Sequence, residues 1–193
     1  RIATWLVNEW EAARRGDIAA IFAEISGNMS FPLGDRAFTL TARADRIERR
    51  RDGSYVILDY KTGFVPTSKQ VRAGLSPQLP LEAAILRAGG FDGIDAGAGV
   101  AGLVYVRLSG NEPAGEERPV ELAEGNDVLT PDEAADEARA ELEELVRRFD
   151  APDVPYRSLV LPMWQDRYGE YDHLARVKEW SDSGGAAGGE VQS

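Results

Sequence analysis

The sequence predicts an α/β fold in which a mixed central sheet is flanked by helices, with the elements in the order αβββαβ. Three stretches carry that expectation. Residues 38–61 alternate apolar and polar side chains about an Asp52-Gly53 turn, the pattern of two antiparallel strands. Ser76-Pro77, an apolar stripe and then Gly89-Gly90 mark the start and stop of a helix. Residues 99–108, GVAGLVYVRL, form an apolar, β-rich run read as a buried strand, so strands both precede and follow that helix.

The first element is a helix. Ile2, Trp5, Leu6, Trp10 and Ala13 recur at helical spacing before Gly16, so residues 2–15 are expected to be amphipathic, with Trp5 and Trp10 in the core. Ile21, Ala23, Ile25, Met29 and Phe31 then fall on alternating positions ahead of Pro32-Leu33-Gly34-Asp35, which reads as a first strand paired with residues 38–47. Glu24 would face away from that apolar set.

In the next hairpin, turn length decides whether the acids cooperate, because a one-residue slip moves a side chain to the other face. A two-residue Asp52-Gly53 loop would pair Asp45 with Tyr60 and put Asp59 behind the sheet. A three-residue loop, Arg51-Asp52-Gly53 with Gly53 in the left-handed conformation, sets Asp45 opposite Asp59 and puts Lys61 on the same face. The second is expected. It sorts the hairpin into an apolar face (Phe38, Leu40, Ala42, Ala44, Val56, Leu58) and a polar face (Thr41, Arg43, Asp45, Asp59, Lys61).

Beyond Gly63, Pro66-Thr67-Ser68 opens a loop or short helix with Lys69, Gln70 and Arg72. On the helix after Ser76, Leu81, Ala84, Ile85 and Ala88 form the expected buried stripe, while Gln78 and Glu82, four apart, are neighbours on one face. Residues 109–127 read as an acidic loop with an edge strand near 118–122. Thr130-Pro131-Asp132-Glu133 is a capping box for a helix ending near Phe149. Tyr156, Met163, Trp164, Tyr168 and Tyr171, interleaved with Arg157, Arg167 and Arg176, are expected to pack a C-terminal segment onto the core rather than to bind a nucleic-acid strand. His173 sits in a last helix without a second His at metal spacing and reads as structural. Residues 1–180 are taken as one domain and 181–193 as a disordered Gly/Ser-rich tail.

Two carboxylates opposed across a strand pair, roughly 5 Å apart at their β-carbons, repel unless a cation sits between them. Mg²⁺ or Mn²⁺ answers that need, taking one or two carboxylates together with water and phosphate oxygens. Asp45 and Asp59 would bind the metal, and Lys61 would orient a water or stabilise charge developing on a phosphodiester. An isolated D-x-K tripeptide is more often an ordinary surface ion pair. Here it has company.

ARADRIE, VILDYKTG and PQLPLEAAIL, in that order, resemble the motifs of the RecB-like branch of the PD-(D/E)XK nucleases, and most closely the C-terminal nuclease domain of AddB-type double-strand-break repair proteins. The likeness is strong over residues 20–90 and looser elsewhere. It implies a restriction-endonuclease-like core, with Asp45, Asp59 and the Tyr60 backbone carbonyl as metal ligands, Lys61 as the catalytic lysine and Gln78 as the helix glutamine near the site. It also implies a Mg²⁺-dependent DNA exonuclease working with an AddA-type helicase-nuclease subunit. Many relatives carry Tyr where Glu82 stands, and a helical Glu or His upstream completes their metal site; the latter is expected before Arg1, the chain being read as a fragment of a longer protein. Glu24 is the weaker candidate for that ligand.

Composition bounds the rest. The chain has 193 residues, no cysteine, one His and a formal charge of −11. Without cysteine there is no disulfide and no iron–sulfur cluster in this chain, which departs from many AddB-type domains and fits a cytoplasmic setting. No apolar run reaches the ~20 residues that span a bilayer, so no membrane partner is expected. The acidity opposes sequence-independent adhesion to DNA, with the run Arg46, Arg49, Arg50, Arg51 at the hairpin tip as a local counterweight. No GxxxxGK[ST] loop occurs, so a motor activity would come from a partner. The rival readings are a standalone exonuclease of the same fold and a nuclease-like fold serving without catalysis as a scaffold or DNA-binding module.

Overall fold

The computed structural model of the chain describes residues 1–124, 127–151 and 154. The C-terminal aromatic segment, the helix expected around His173 and the Gly/Ser-rich tail lie outside the described residues. Helix α1 covers residues 2–14 as Ile2–Trp5, a π-helical turn Leu6–Trp10 and Glu11–Arg14. The strands β1 (Ile18–Leu33), β2 (Arg36–Arg50) and β3 (Tyr55–Lys61) follow, then a short helix α2 (Ser68–Arg72) and helix α3 (Gln78–Arg87). The chain continues through β4 (Val100–Leu108), β5 (Gly115–Pro119), the two-residue strands β6 (Ala123–Glu124) and β7 (Asp127–Val128), and helix α4 (Pro131–Asp150). The expected αβββαβ order is present, with β5, the small β6–β7 ladder and α4 added to it.

The main sheet runs β1-β2-β3-β4-β5. Only β3 and β4 are parallel, and α3 forms the crossover that such a pair requires. The mixed α/β sheet is therefore as expected. Each face is covered by one layer. Leu79, Ala83, Ile85 and Leu86 of α3 pack with Ile47, Ile57, Leu103 and Tyr105, all but fully buried, on one side. On the other, Trp10 packs on Val56, Leu58, Val104 and Val106, with Trp5 beside it. Full burial of each Leu or Ile contributes roughly 1.5–3 kcal/mol, which makes the α3 layer the larger source of cohesion. The helix sits tight against β1 because Gly90 has no side chain: a Cβ there would overlap the carbonyl of Asn28.

Turn chemistry fixed the β2–β3 register as expected. The ladder pairs Arg46 with Leu58, Ile47 with Ile57 and Arg49 with Tyr55, and Gly53 adopts φ 89° at the three-residue turn. Continued one residue, this register sets Asp45 level with Asp59.

The clean two-face sorting of that hairpin is corrected. Leu40, Ala42 and Ala44 side with the α3 layer, whereas Val56 and Leu58 face α1. The reason is a break shared by β1 and β2. Glu24 takes φ 54° and leaves the ladder between the Ala23–Arg46 and Ile25–Ala44 pairs. On one side of the break Phe22 and Ile47 turn to the α3 layer; on the other, Ile25 and Ala44 do. Alternation therefore skips a beat, leaving Ile21 48% exposed rather than inward.

Two further expectations change. Arg46 is not part of an exposed basic tip: it is 7% exposed, bonded to Glu11 and Glu48 and stacked over Trp10 at 5.0 Å. On α3, Leu81 is half-buried, and Ala88, just past the helix, is exposed, whereas Leu79, Ala83 and Leu86 are buried, so the covered face is broader than the expected stripe and centred differently. No helix among the described residues is long and apolar enough to cross a membrane.

Candidate metal centre

Period-two geometry puts Asp59 and Lys61 on the same side of β3 as Ile57, the side that α3 covers. The first turn of α3 then brings Gln78 and, one turn on, Glu82 over them. The Lys61 ammonium lies 2.7 Å from Asp59 Oδ2 and donates to Gln78 Oε1 at 3.1 Å. The Gln78 amide nitrogen donates to Asp59 Oδ1 at 2.6 Å and to Glu82 Oε1 at 3.1 Å. One amide thus reads a cation with its oxygen and two carboxylates with its nitrogen, which fixes its orientation. Beneath them, Tyr105 is 1% exposed and presents its ring 5.9 Å from the Lys61 ammonium.

Asp45 approaches from the neighbouring strand, where its Oδ2 accepts the backbone N–H of Tyr60 at 2.9 Å. Both Asp45 and Asp59 lie near enough to Glu82 for their charges to act on it. Of the residues expected from the sequence, Asp59, Lys61 and Gln78 are joined by direct contacts, and Asp45 stands on the neighbouring strand, held by the Tyr60 N–H. Glu24 is elsewhere engaged: its exposed carboxylate is 2.7 Å from Arg43. The Tyr60 side chain turns to the other face, edge-on to Trp10 at 6.1 Å, while its backbone stays between Asp59 and Lys61.

Glu82 is the residue whose part sequence reasoning left open. It is 3% exposed, and its Oε2 has no hydrogen-bond partner. The four-residue spacing from Gln78 was the signal that it belongs to this face. Burial, followed by the charges of Asp59 and Asp45, pushes its pKa up to about 7, against the opposing Gln78 hydrogen bond and Lys61.

A raised carboxyl pKa has a definite consequence for the metal-free protein. The unfolded chain ionises this group near 4.3, so its contribution to stability is fully present below that pH and is lost as pH rises through about 7. In EDTA, Glu82→Gln is expected to gain on the wild type by on the order of 3 kcal/mol between pH 4 and pH 8. Urea denaturation of both proteins across that range checks it, a constant difference being the contrary result.

The donor set suits a hard divalent cation. Its ligating atoms are carboxylate oxygens, and a bare buried oxygen at Glu82 has no proton donor to satisfy it. Among the described residues the acids do not close on a single point; the Gln78 amide stands between Asp59 and Glu82, and the Lys61 ammonium is on Asp59.

Comparison with known proteins defines the class. The family model described as PD-(D/E)XK nuclease superfamily matches residues 1–159, and the chain belongs to that superfamily. An uncharacterized protein of Rickettsia bellii (strain RML369-C) is 26% identical over 177 residues, 86% of this chain and 20% of that protein. The uncharacterized protein RT0391 of Rickettsia typhi (strain ATCC VR-144 / Wilmington) is 37% identical over 83 residues, 43% of this chain and 10% of that protein. The chain therefore spans a fifth or less of these relatives. A crystal structure of SSO0001 is 13% identical with a TM-score of 0.44, covering 92% of this chain and 70% of that one.

Proposed function

We propose that this chain is a metal-dependent deoxyribonuclease domain, and that Asp45, Asp59 and the Tyr60 carbonyl hold Mg²⁺ or Mn²⁺ for phosphodiester hydrolysis. The observation that carries the reading is the β2–β3 register, which sets Asp45 level with Asp59, with the Lys61 ammonium 2.7 Å from Asp59. When bound, the cation lowers the pKa of a water and offsets charge on the phosphate. Lys61 supplies a positive charge beside the reacting group, to orient the water or to stabilise the oxygens of the pentacoordinate phosphorus. Gln78 is the positioning residue, holding Lys61 and Asp59 relative to one another through its two ends. Asp45 is oriented by the Tyr60 N–H, which leaves its remaining lone pairs for the metal.

The finer reading is an exonuclease domain of a helicase-nuclease complex that processes double-strand breaks in the cytoplasm, with an AddA-type subunit as partner. Its support is the resemblance of the three motifs to the RecB-like branch. DNA as substrate also needs positive surface, and Arg49, Arg50 and Arg51 stand at the β2–β3 turn, roughly 17 Å along β3 from Asp59 at 3.3 Å per residue. That is close to one duplex width, so a bound end could touch both.

The test is cleavage of end-labelled linear duplex and single-stranded DNA by the 193-residue chain. Degradation in Mg²⁺ or Mn²⁺ that stops in EDTA is expected. Metal-independent cleavage, or none alone and none with a partner helicase subunit, would set the proposal aside.

A further inference from the structure

We infer that Glu82 is a third carboxylate of the metal centre, a ligand supplied by α3 and not by the N-terminal helix. The inference rests on the metal-dependent reading above and adds to it a residue that strand alternation does not reach.

Three observations carry it. Glu82 is 3% exposed with Oε2 unpartnered, and a buried carboxylate oxygen without a donor is costly unless a cation or proton completes it. Its other oxygen shares the Gln78 amide nitrogen with Asp59 Oδ1, so the two acids already flank one polar atom, and the groups filling the place between them are positively polarised. Gln78 is exposed and Lys61 partly so, so this side of the acid pair is open to solvent. Finally, two other candidate acids for this place are engaged elsewhere. Glu11 of α1 is bonded to Arg46 on the opposite face of the sheet, where Trp10 packs, and Glu24 is on Arg43. Among the described acids, Glu82 is the one on α3 that Asp45 and Asp59 both act upon.

Divalent affinity rises with the number of carboxylates offered. Glu82 would therefore tighten the site beyond what Asp45 and Asp59 provide. A purely packing role would leave uptake untouched.

The experiment is calorimetric titration of the whole chain with Mn²⁺, for the wild type, Glu82→Gln and Glu82→Asp, with thermal unfolding in EDTA and in Mn²⁺. Wild type is expected to take up Mn²⁺ and to be stabilised by it. Glu82→Gln, nearly isosteric, should bind about 10–100-fold more weakly and lose most of the Mn²⁺-induced rise in melting temperature, while melting no lower than wild type in EDTA. Glu82→Asp keeps the charge and should bind more tightly than Glu82→Gln. Wild-type affinity in Glu82→Gln, or equal weakening in both variants, overturns the assignment of Glu82 alone. No uptake by the wild type overturns it together with the metal-dependent reading.

Discussion

Replacing Lys61 with Ala should lower DNA cleavage by about 10²–10³-fold, the cost of removing one preorganised charge-stabilising donor, while Mn²⁺ uptake is kept or strengthened. The split follows from where the ammonium sits. At 2.7 Å from Asp59 Oδ2 it is a resident cation on a carboxylate that is 4% exposed, so it competes with any metal for that oxygen. Removing it leaves Asp59 without its counter-charge and more in need of another. Binding and turnover should therefore move in opposite directions. Single-turnover cleavage at saturating Mn²⁺, with calorimetry on the same preparation, reads both; loss of uptake in Lys61→Ala would show that the amine serves the fold and not the reaction.

The second large effect lies on the opposite face of the sheet and concerns stability alone. Glu48 is 1% exposed and accepts from Arg14 at 2.6 Å and from Arg46 at 2.8 Å. Arg46 is also tied to Glu11, Arg14 to Glu117, and both guanidiniums lie over the Trp10 ring. Burial disfavours the charge on Arg46, and its acidic neighbours more than compensate, raising its pKa above the ordinary value. Glu48→Ala leaves two guanidiniums short of charge in a poorly solvated place, and should cost about 3–5 kcal/mol. Glu48→Gln keeps the shape and acceptor oxygen and should cost less. The check is the urea midpoint with unchanged slope, and in the folded protein Mn²⁺ uptake should be preserved. A loss below 1 kcal/mol would mean that the network rearranges freely around the gap.

The sequence made the hairpin register legible because two independent cues agreed. Gly53 suited a left-handed turn position, and only a three-residue loop brought Asp45 level with Asp59. The crossover helix was legible from Ser76-Pro77 and Gly89-Gly90, although its buried face is broader than a single stripe suggests. The shared break at Glu24 and Asp45 was not legible, since it carries neither Gly nor Pro and apolar residues occur on both sides of it. Reading alternation straight through it misplaced Ile21 and merged Ala44 with Val56 and Leu58. Arg46 was hidden for a related reason: in a run with Arg49, Arg50 and Arg51 it looks solvated, and only the acids of α1 and β2 reveal a buried partner set. Glu82 was half legible, its spacing from Gln78 being visible and its orphaned oxygen not.

Hydrolysis by this route depends on one cation held between two strand carboxylates. Crystals of the chain soaked in Mn²⁺, measured for anomalous scattering, test this most directly. A peak in contact with Asp45, Asp59 and the Tyr60 carbonyl is the expected result. Full occupancy of Mn²⁺ elsewhere, with the Lys61–Asp59 pair undisturbed and no peak between the acids, would contradict it.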